Sequence, residues 1–120
     1  MKKYCLILCV FSLAINAFAG TQAMPLKKGM SYQTAAAELR REGWSARTMH
    51  VKSEYKYIGI ENTLLNQGVK GIESCAVDRP VCILHYTKRN MCLRIITWGE
   101  EFKGLKVDSW DRECPTKDAL

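Results

Sequence analysis

The spacing of apolar residues divides the chain into three parts. Residues 4–15 are almost wholly apolar. Between residues 30 and 67, apolar side chains recur every three or four positions, which is the spacing of helices. From residue 69 onward the chain forms short runs rich in β-branched and aromatic residues, which are typical of strands. The pattern therefore predicts an α+β domain whose helices precede its strands.

A first helix is predicted over residues 32–42, which are mostly strong helix formers. Its apolar residues fall on one stripe at helical spacing: Tyr32, Ala35 or Ala36, and Leu39. Ser31 is a good N-cap, and Met30 can pack on Ala35 as a hydrophobic staple. Gly43 stands where a helix needs a left-handed closing residue, so the helix should end just before it.

Two weaker elements follow the first helix. Trp44 is expected to fold back into the core, and residues 46–51 are predicted to form a first strand. Residues 57–67 fit either a short helix or a strand and a turn. Gly68 looks like a second helix stop and favours a helix over residues 60–67.

Four strands are predicted in the last third of the chain. They cover residues 69–77, 81–86, 91–98 and 105–110. Short turns between consecutive strands are typical of an antiparallel meander. The predicted fold class is therefore α+β, with one or two N-terminal helices packed on a C-terminal antiparallel meander of about four strands.

The first 19 residues have the three-part pattern of a secretory signal peptide. Lys2 and Lys3 precede the apolar run 4–15, and Ala17-Phe18-Ala19 is a small-x-small cleavage site. The apolar run is shorter than the roughly 20 residues that span a bilayer. We expect a cleaved signal peptide over residues 1–19, one mature domain over residues 20–120 with no membrane span, and a periplasmic or secreted location.

The cysteines predict two disulfides in the mature domain. Cys5 and Cys9 lie in the signal peptide, and Leu8 stands where a lipoprotein needs a small residue before Cys9. Four cysteines remain: Cys75, Cys82, Cys92 and Cys114. An even number in an exported domain indicates disulfides, whereas zinc sites usually pair their ligands at closer spacing. No Cys-x-x-Cys motif is present to suggest a redox-active pair.

The alternation of side chains along the strands favours one of the three possible pairings. A four-residue turn over residues 87–90 would place Tyr86 opposite Met91. The residues that then share one face are Cys82, Leu84, Tyr86, Met91, Leu93 and Ile95. Cys92 lies on the opposite face, so it cannot bond to Cys82 through the sheet. The next hairpin brings Cys114 back beside Cys92, and we predict the disulfides Cys75–Cys82 and Cys92–Cys114.

The charge and the polar residues point away from catalysis. The chain carries 18 Lys and Arg against 12 Asp and Glu, a net charge of +6, and removal of the signal peptide lowers it to +4. His50 and His85 are the only histidines, and neither lies in a local pattern with a nucleophile and an acid. We expect them to be surface or packing residues. No metal-ligand cluster or phosphate-binding loop is present, so we predict no enzyme activity, no cofactor and no nucleic-acid partner.

The sheet offers a candidate binding face. If the helices cover the face that holds Cys82, the other face exposes an aromatic and aliphatic patch edged by charge, of a kind enriched at interaction sites. The candidate residues are Arg94, Ile96, Trp98, His85, Lys88 and Arg89. Alternatively, Trp44, Trp98 and Trp110 are all core residues and the charges of the turn are simply solvated.

Three functions remain open from the sequence. The first is a binding module for another exported protein, such as an inhibitor or an immunity protein that blocks an envelope-directed enzyme. The second is a binder of anionic envelope polymers through its basic residues. The third is a small hydrolase that uses His50 or His85.

Parts of the chain resemble known proteins. Three segments resemble small, uncharacterised exported proteins of Gram-negative bacteria: Gly29-Met30-Ser31-Tyr32, Gly43-Trp44 and the cysteine-bearing segment from Cys75 to Trp110. The Gly-Met helix start is more loosely similar to the helix-then-sheet modules of the β-lactamase inhibitory protein and of outer-membrane assembly lipoproteins. That second resemblance implies protein binding rather than catalysis, and it transfers no functional residue to this chain.

Overall fold

The computed structural model describes residues 23–51 and 53–116. The predicted signal peptide, with Cys5 and Cys9, lies outside the described residues. The two helices are α1 (Tyr32–Arg41) and α2 (Ile60–Asn66), and a 3-10 turn covers Phe102–Gly104. The strands are β1 (Ser45–Ala46), β2 (Ile72–Cys75), β3 (Val81–Lys88), β4 (Met91–Trp98) and β5 (Lys106–Asp111). The α+β class is confirmed.

One antiparallel sheet contains all five strands. The chain runs back and forth through β3, β4 and β5 as the predicted meander. Both β1 and β2 pair with the other edge of β3, β1 alongside Tyr86 and Thr87 and β2 alongside the stretch from Cys82 to Leu84. β3 is therefore the strand with the most partners.

The turn between β3 and β4 is shorter than predicted. The strands pair up to Lys88 and Met91, so the chain reverses through Arg89 and Asn90 alone. Arg89 adopts a left-handed backbone conformation (φ 55°) that allows this tight reversal. The predicted register is wrong by two residues, because Tyr86 lies opposite Leu93 and not opposite Met91. A shift of two keeps every side chain on its predicted face.

The core lies between one face of the sheet and the two helices. α1 contributes the predicted stripe of Tyr32, Ala35 and Leu39, and α2 contributes Leu64. The sheet contributes buried side chains at alternate positions: Cys82, Leu84, Tyr86, Leu93, Ile95 and Val107. Met91 is the exception among the predicted core-face residues. It lies at the end of the hairpin and is 43% exposed.

The start of α1 is held by the sheet and not by a side-chain cap. Ser31 occupies the N-cap position but its hydroxyl makes no capping hydrogen bond. The Tyr32 N–H instead donates to the Leu105 carbonyl (2.8 Å), and the Val107 N–H donates to the Met30 carbonyl (2.9 Å). The predicted cap is replaced because the chain before the helix pairs with the start of β5, and this pairing also covers part of an exposed strand edge.

Both helices end in the same hydrogen-bond pattern. In α1 the Gly43 N–H donates to Arg40 and the Trp44 N–H donates to Leu39. This arrangement is a Schellman motif with Gly43 at its left-handed position (φ 90°), and it directs Trp44 into the core. Gly68 and Val69 repeat the pattern at the end of α2. Both predicted stops are confirmed.

The strand predicted over residues 46–51 is much shorter than expected. After β1, the Arg47 N–H still donates to the His85 carbonyl (2.8 Å), but the next residues leave the sheet. They leave because the remaining edge of β3 is occupied, first by Gly71, whose carbonyl accepts from the His85 N–H, and then by β2. β1 and β2 both pair with this edge of β3, and β2 pairs with more of it.

The two predicted disulfides, Cys75–Cys82 and Cys92–Cys114, are both present. Cys75 lies directly opposite Cys82 across β2 and β3. Cys92 is the second residue of β4 and lies on the face away from the core, and the chain after β5 returns to it. The first bond therefore closes the β2–β3 connection, and the second fixes the segment that follows the last strand.

Replacing both Cys92 and Cys114 by Ser should lower the free energy of unfolding by about 3 kcal/mol, because the bond closes the longer loop, with a sequence separation of 22. The corresponding double change at Cys75 and Cys82, with a separation of 7, should cost about 2 kcal/mol. Urea unfolding monitored by tryptophan fluorescence measures both values. Peptide mapping without reductant provides the control, and a peptide linking Cys82 to Cys92 would contradict the structure.

Gly71→Ala should be one of the most destabilising single substitutions in the sheet. Gly71 has a φ of +81°, and an added Cβ would lie 2.6 Å from the His85 carbonyl oxygen. The backbone penalty and the overpacking together should cost about 3 kcal/mol. Gly29 is the matched control, because it has nearly the same φ (+82°) with no atom within 4 Å of the added Cβ. Thermal unfolding of the two variants should differ clearly, and equal losses of stability would refute the steric argument.

Candidate binding surface

The face of the sheet that points away from the helices consists of two different parts. Near the Arg89-Asn90 turn it is polar, with His85 opposite Arg94. At the other end it is apolar, with Ile83 opposite Ile96 and Val81 opposite Trp98. The sequence placed these residues on one face correctly, but only the apolar part has a large side chain open to solvent.

A row of charged and polar side chains crosses the polar part of this face. Glu73 Oε2 lies 3.2 Å from His85 Nε2. On the next strands, Arg94 binds Asp111 Oδ2 through Nε (2.9 Å) and Nη2 (2.7 Å), and its Nη1 lies 2.9 Å from Glu113 Oε2. His85 is only 2% exposed. It is therefore a packing residue and adds nothing to an exposed binding face.

The Arg94–Asp111 pair is reflected in the pKa of both groups. Partial burial alone would raise the pKa of the Asp111 carboxyl. The hydrogen bonds from Arg94 and from the Glu113 N–H, together with the positive charge of Arg94, hold that pKa below its usual range. The same hydrogen bonds raise the pKa of Arg94. Arg94 is thus neutralised by two carboxylates and is not free to attract an anion.

Lys88 and Arg89 lie far from Trp98. They occupy the turn end of the β3–β4 hairpin, whereas Trp98 is the last residue of β4, seven residues beyond Met91. At about 3.3 Å per residue, the two ends of β4 are roughly 23 Å apart. The six candidate residues therefore do not form one surface.

The three tryptophans have different environments. Trp44 is buried in the core and Trp110 is partly buried against it. Trp98 is 51% exposed. The alternative that all three are core residues is therefore wrong for Trp98.

Exposed apolar side chains gather at the end of the sheet where Trp98 lies. The Ala76 N–H donates to the Val81 carbonyl (2.8 Å), and Val81 pairs on its other side with Trp98, so Val77 directly follows the residue that extends this row. Val77 is 98% exposed and Ile58 is 60% exposed, and both line a cleft of about 510 Å³ at the start of α2. We call this end of the sheet the docking end; it comprises the strand pair Trp98 and Val81 and, at the cleft, Val77 and Ile58.

A second cluster was not anticipated from the sequence. The His50 ring stacks on the Tyr55 ring with centroids 3.6 Å apart, and His50 Nε2 donates to the Glu73 carbonyl (2.6 Å). The Tyr55 hydroxyl donates to the Glu61 carboxylate (3.0 and 3.1 Å), and the Cys75 N–H donates to the same group (2.9 Å). The segment after β1 is fastened to α2 and β2 by these contacts.

The contacts of this cluster hold the segment after β1 in place. Glu61 is buried but accepts from two donors, the Tyr55 hydroxyl, shared between both carboxylate oxygens, and the Cys75 N–H, so its desolvation is compensated. Within the described part of the chain, no serine, threonine or cysteine side chain forms a hydrogen bond with His50 or His85. Tyr55, Glu61 and Cys75 form part of the wall of the cleft at the docking end, and their contacts hold that wall in place.

Comparisons with known proteins add no relative. The chain matches no protein-family model, no curated protein and no solved structure. Over residues 23–51 and 53–116, no group of three or more His, Cys, Asp or Glu side chains could hold a metal ion. Neither helix in that part of the chain is long and apolar enough to cross a membrane.

Glu61→Gln should lower the pKa of Tyr55. Burial, reinforced by the hydrogen bond to Glu61 and by its charge, raises the pKa of Tyr55 to about 12. The variant removes the charge but not the burial, so the pKa should fall and stay above about 10, the usual tyrosine value. NMR titration of the Tyr55 ring measures this change. Glu54→Gln is the matched control, because Glu54 is an exposed neighbour.

The same pKa predicts a loss of stability in alkali. Unfolded tyrosine releases its proton near pH 10, whereas folded Tyr55 keeps it to about pH 12. Between these values the folded state binds more protons, so the free energy of unfolding should fall as the pH rises from about 10 to about 12. Tyr55→Phe should make that fall shallower. Urea unfolding at a series of pH values tests this, and an unchanged slope would contradict it.

Proposed function

We propose that this protein is an exported, non-catalytic binding module and that another exported protein binds to its docking end. The observation that carries the proposal is the exposure of three large apolar side chains, Trp98, Val77 and Ile58, at the docking end of a sheet fastened by two disulfides. Tryptophan is enriched at the energetic centres of protein interfaces. A large aromatic side chain that is already fixed in place loses little entropy when a partner covers it.

The size of the docking end favours a different protein as the partner over a second copy of this chain. Four side chains are far less than the roughly 800 Å² per partner of a standard interface. Obligate homodimers bury larger and more apolar surfaces than that. The docking end is better suited to be the apolar centre of a mixed interface whose polar rim comes from the surrounding turns.

The shape of the docking end indicates what the partner presents. Trp98 and Val81 pair across neighbouring strands, and Ile58 and Val77 line an open, largely apolar cleft. We propose that a loop of the partner inserts an apolar side chain into this cleft while its flank covers Trp98. Blocking a loop of an envelope-directed enzyme would make the protein an inhibitor or an immunity protein.

The alternative functions have less support in the structure. A binder of anionic polymers needs free cations on one surface, but Arg94 on β4 is paired with Asp111 and Glu113, whereas Lys88 and Arg89 lie at the turn end of the hairpin. A hydrolase based on histidine needs a nucleophile next to the ring. His50 and His85 instead contact the carbonyl and the carboxylate of Glu73.

Trp98→Ala should weaken the complex with the partner about 30-fold, which corresponds to a loss of about 2 kcal/mol. The partner is first isolated from a periplasmic extract as a stoichiometric complex, and its affinity for each variant is then measured by calorimetry. Val77→Ser should also weaken binding, because Val77 lines the cleft.

Met91→Ala is the matched control for these variants. Met91 is also an exposed apolar residue of β4, but it lies at the opposite end of the strand. It should leave the affinity unchanged. If Trp98→Ala and Val77→Ser bind as tightly as the unaltered protein, or if no stoichiometric partner is recovered, the proposal is wrong. A complex that dissociates steeply with added salt would instead favour the polyanion alternative.

A further inference from the structure

A second cleft lies on the helix side of the sheet, separate from the docking end. It has a volume of about 530 Å³, which is within the usual range for small-molecule sites. Residues from α1, from the chain after α2, from β3 and from the 3-10 turn line it. They include Tyr32, Ala36, Arg40, Lys70, Tyr86 and Phe102.

Two buried tyrosines line this cleft and are hydrogen-bonded to each other. The Tyr32 and Tyr86 hydroxyls form a short hydrogen bond with each other, and both side chains are almost fully buried. Two hydroxyls carry two donor protons, but the bond between them uses only one. Within the described part of the chain neither hydroxyl makes another hydrogen bond. The second proton can therefore be donated to an acceptor in the cleft.

Burial also keeps these hydroxyls in the donor form. Desolvation raises the pKa of both Tyr32 and Tyr86 above the usual tyrosine value, so both keep their protons at neutral pH. Arg40 lines the same cleft, and its positive charge acts on both pKa values in the opposite direction. The result is a neutral donor beside a cation.

Two cations line the cleft without a counter-charge. Over residues 23–51 and 53–116, neither Arg40 nor Lys70 forms a salt bridge. The neighbouring Arg41 is different, because it binds Glu38 at 2.7 Å. A guanidinium, an ammonium and a hydroxyl donor facing one cavity match the oxygens of a carboxylate.

The remaining walls are apolar and leave room for a compact body. Phe102 packs edge-on against Tyr32 with ring centroids 6.3 Å apart, and Trp44 also borders the cleft. Ala36 and Ala46 carry only a methyl group where they line it. A larger side chain at either position would occupy the space that a ligand would fill.

We propose that this cleft is a binding site for a small organic anion, whose carboxylate lies between Arg40 and Lys70 and accepts a hydrogen bond from the tyrosine pair, and whose flat apolar body packs against Phe102 and Trp44. The site is independent of the docking end. It gives the protein a ligand-binding function in addition to the proposed protein binding.

Titration of the oxidised protein with 2-naphthoate, followed by the NMR shifts of backbone amides, tests the proposal. We expect saturable shifts at Ala36, Ala46 and Lys70, and much weaker binding of the neutral analogue 2-naphthamide. Arg40→Gln should raise the dissociation constant about tenfold, as expected for the loss of a charged hydrogen-bond donor. Arg41→Gln is the matched control and should bind like the unaltered protein.

Two further variants test the location. Ala36→Leu should abolish binding by filling the cleft, whereas Ala37→Leu, on the exposed side of α1, should not affect it. The proposal is overturned if no saturation occurs up to about 10 mM, if the neutral analogue binds equally well, or if binding survives Ala36→Leu. Shifts confined to Trp98 and its neighbours would also overturn it. Because Trp98→Ala should leave naphthoate binding unchanged, failure here does not affect the proposed protein binding.

Discussion

β3 pairs with three other strands, and its alternating side chains determine what each side of the sheet can do. Cys82, Leu84 and Tyr86 point into the core, where Cys82 forms a disulfide and Tyr86 lines the cleft beside α1. Val81 and Ile83 point to the opposite face. A single-residue slip of β3 within the sheet, against β2 as well as β4, would bury the second set, expose the first and move Cys82 away from Cys75. The packing of the core and the two proposed binding regions thus depend on one register.

This dependence explains why much of the fold could be predicted from the sequence. The prediction of a four-residue turn between β3 and β4 was wrong, yet the faces and both disulfides were predicted correctly. The register error was two residues, and an even shift leaves each side chain on the same face, so Cys82 and Cys92 stay on opposite faces. The glycine-terminated helices were also predictable, since Gly43 with Trp44 is a local signal. The start of α1 was not, because the partner of the Tyr32 N–H is Leu105, which is distant in the sequence.

The candidate sites were less predictable because they combine segments without periodicity. The alternation of side chains along β4 correctly placed Trp98 on the face away from the helices. Nothing in the sequence indicated that Val77 and Ile58 would be exposed at the same end of the sheet. The chain between β1 and α2 has no regular pattern, and it is positioned by single contacts such as Tyr55 with Glu61. The Tyr32–Tyr86 pair likewise joins a helix to a strand across 54 residues. One signal was present: a tyrosine at a core position of a strand needs a partner for its hydroxyl, and a second tyrosine on the buried stripe of a helix can supply it.

The positions of the two disulfides connect stability with the proposed binding. Cys75 lines the same cleft as Val77, and its bond partner Cys82 follows Val81 in β3; the Cys75 N–H also donates to Glu61 at the start of α2. One covalent bond and one buried carboxylate therefore fix both sides of the cleft at the docking end. Cys92–Cys114 lies at the other end of β4, where it holds the chain that carries Glu113 against Arg94. A domain of this size has a thin core, so mobile loops around an exposed tryptophan would make each binding event costly in conformational entropy. Covalent bonds at both ends of the sheet remove most of that cost before a partner arrives.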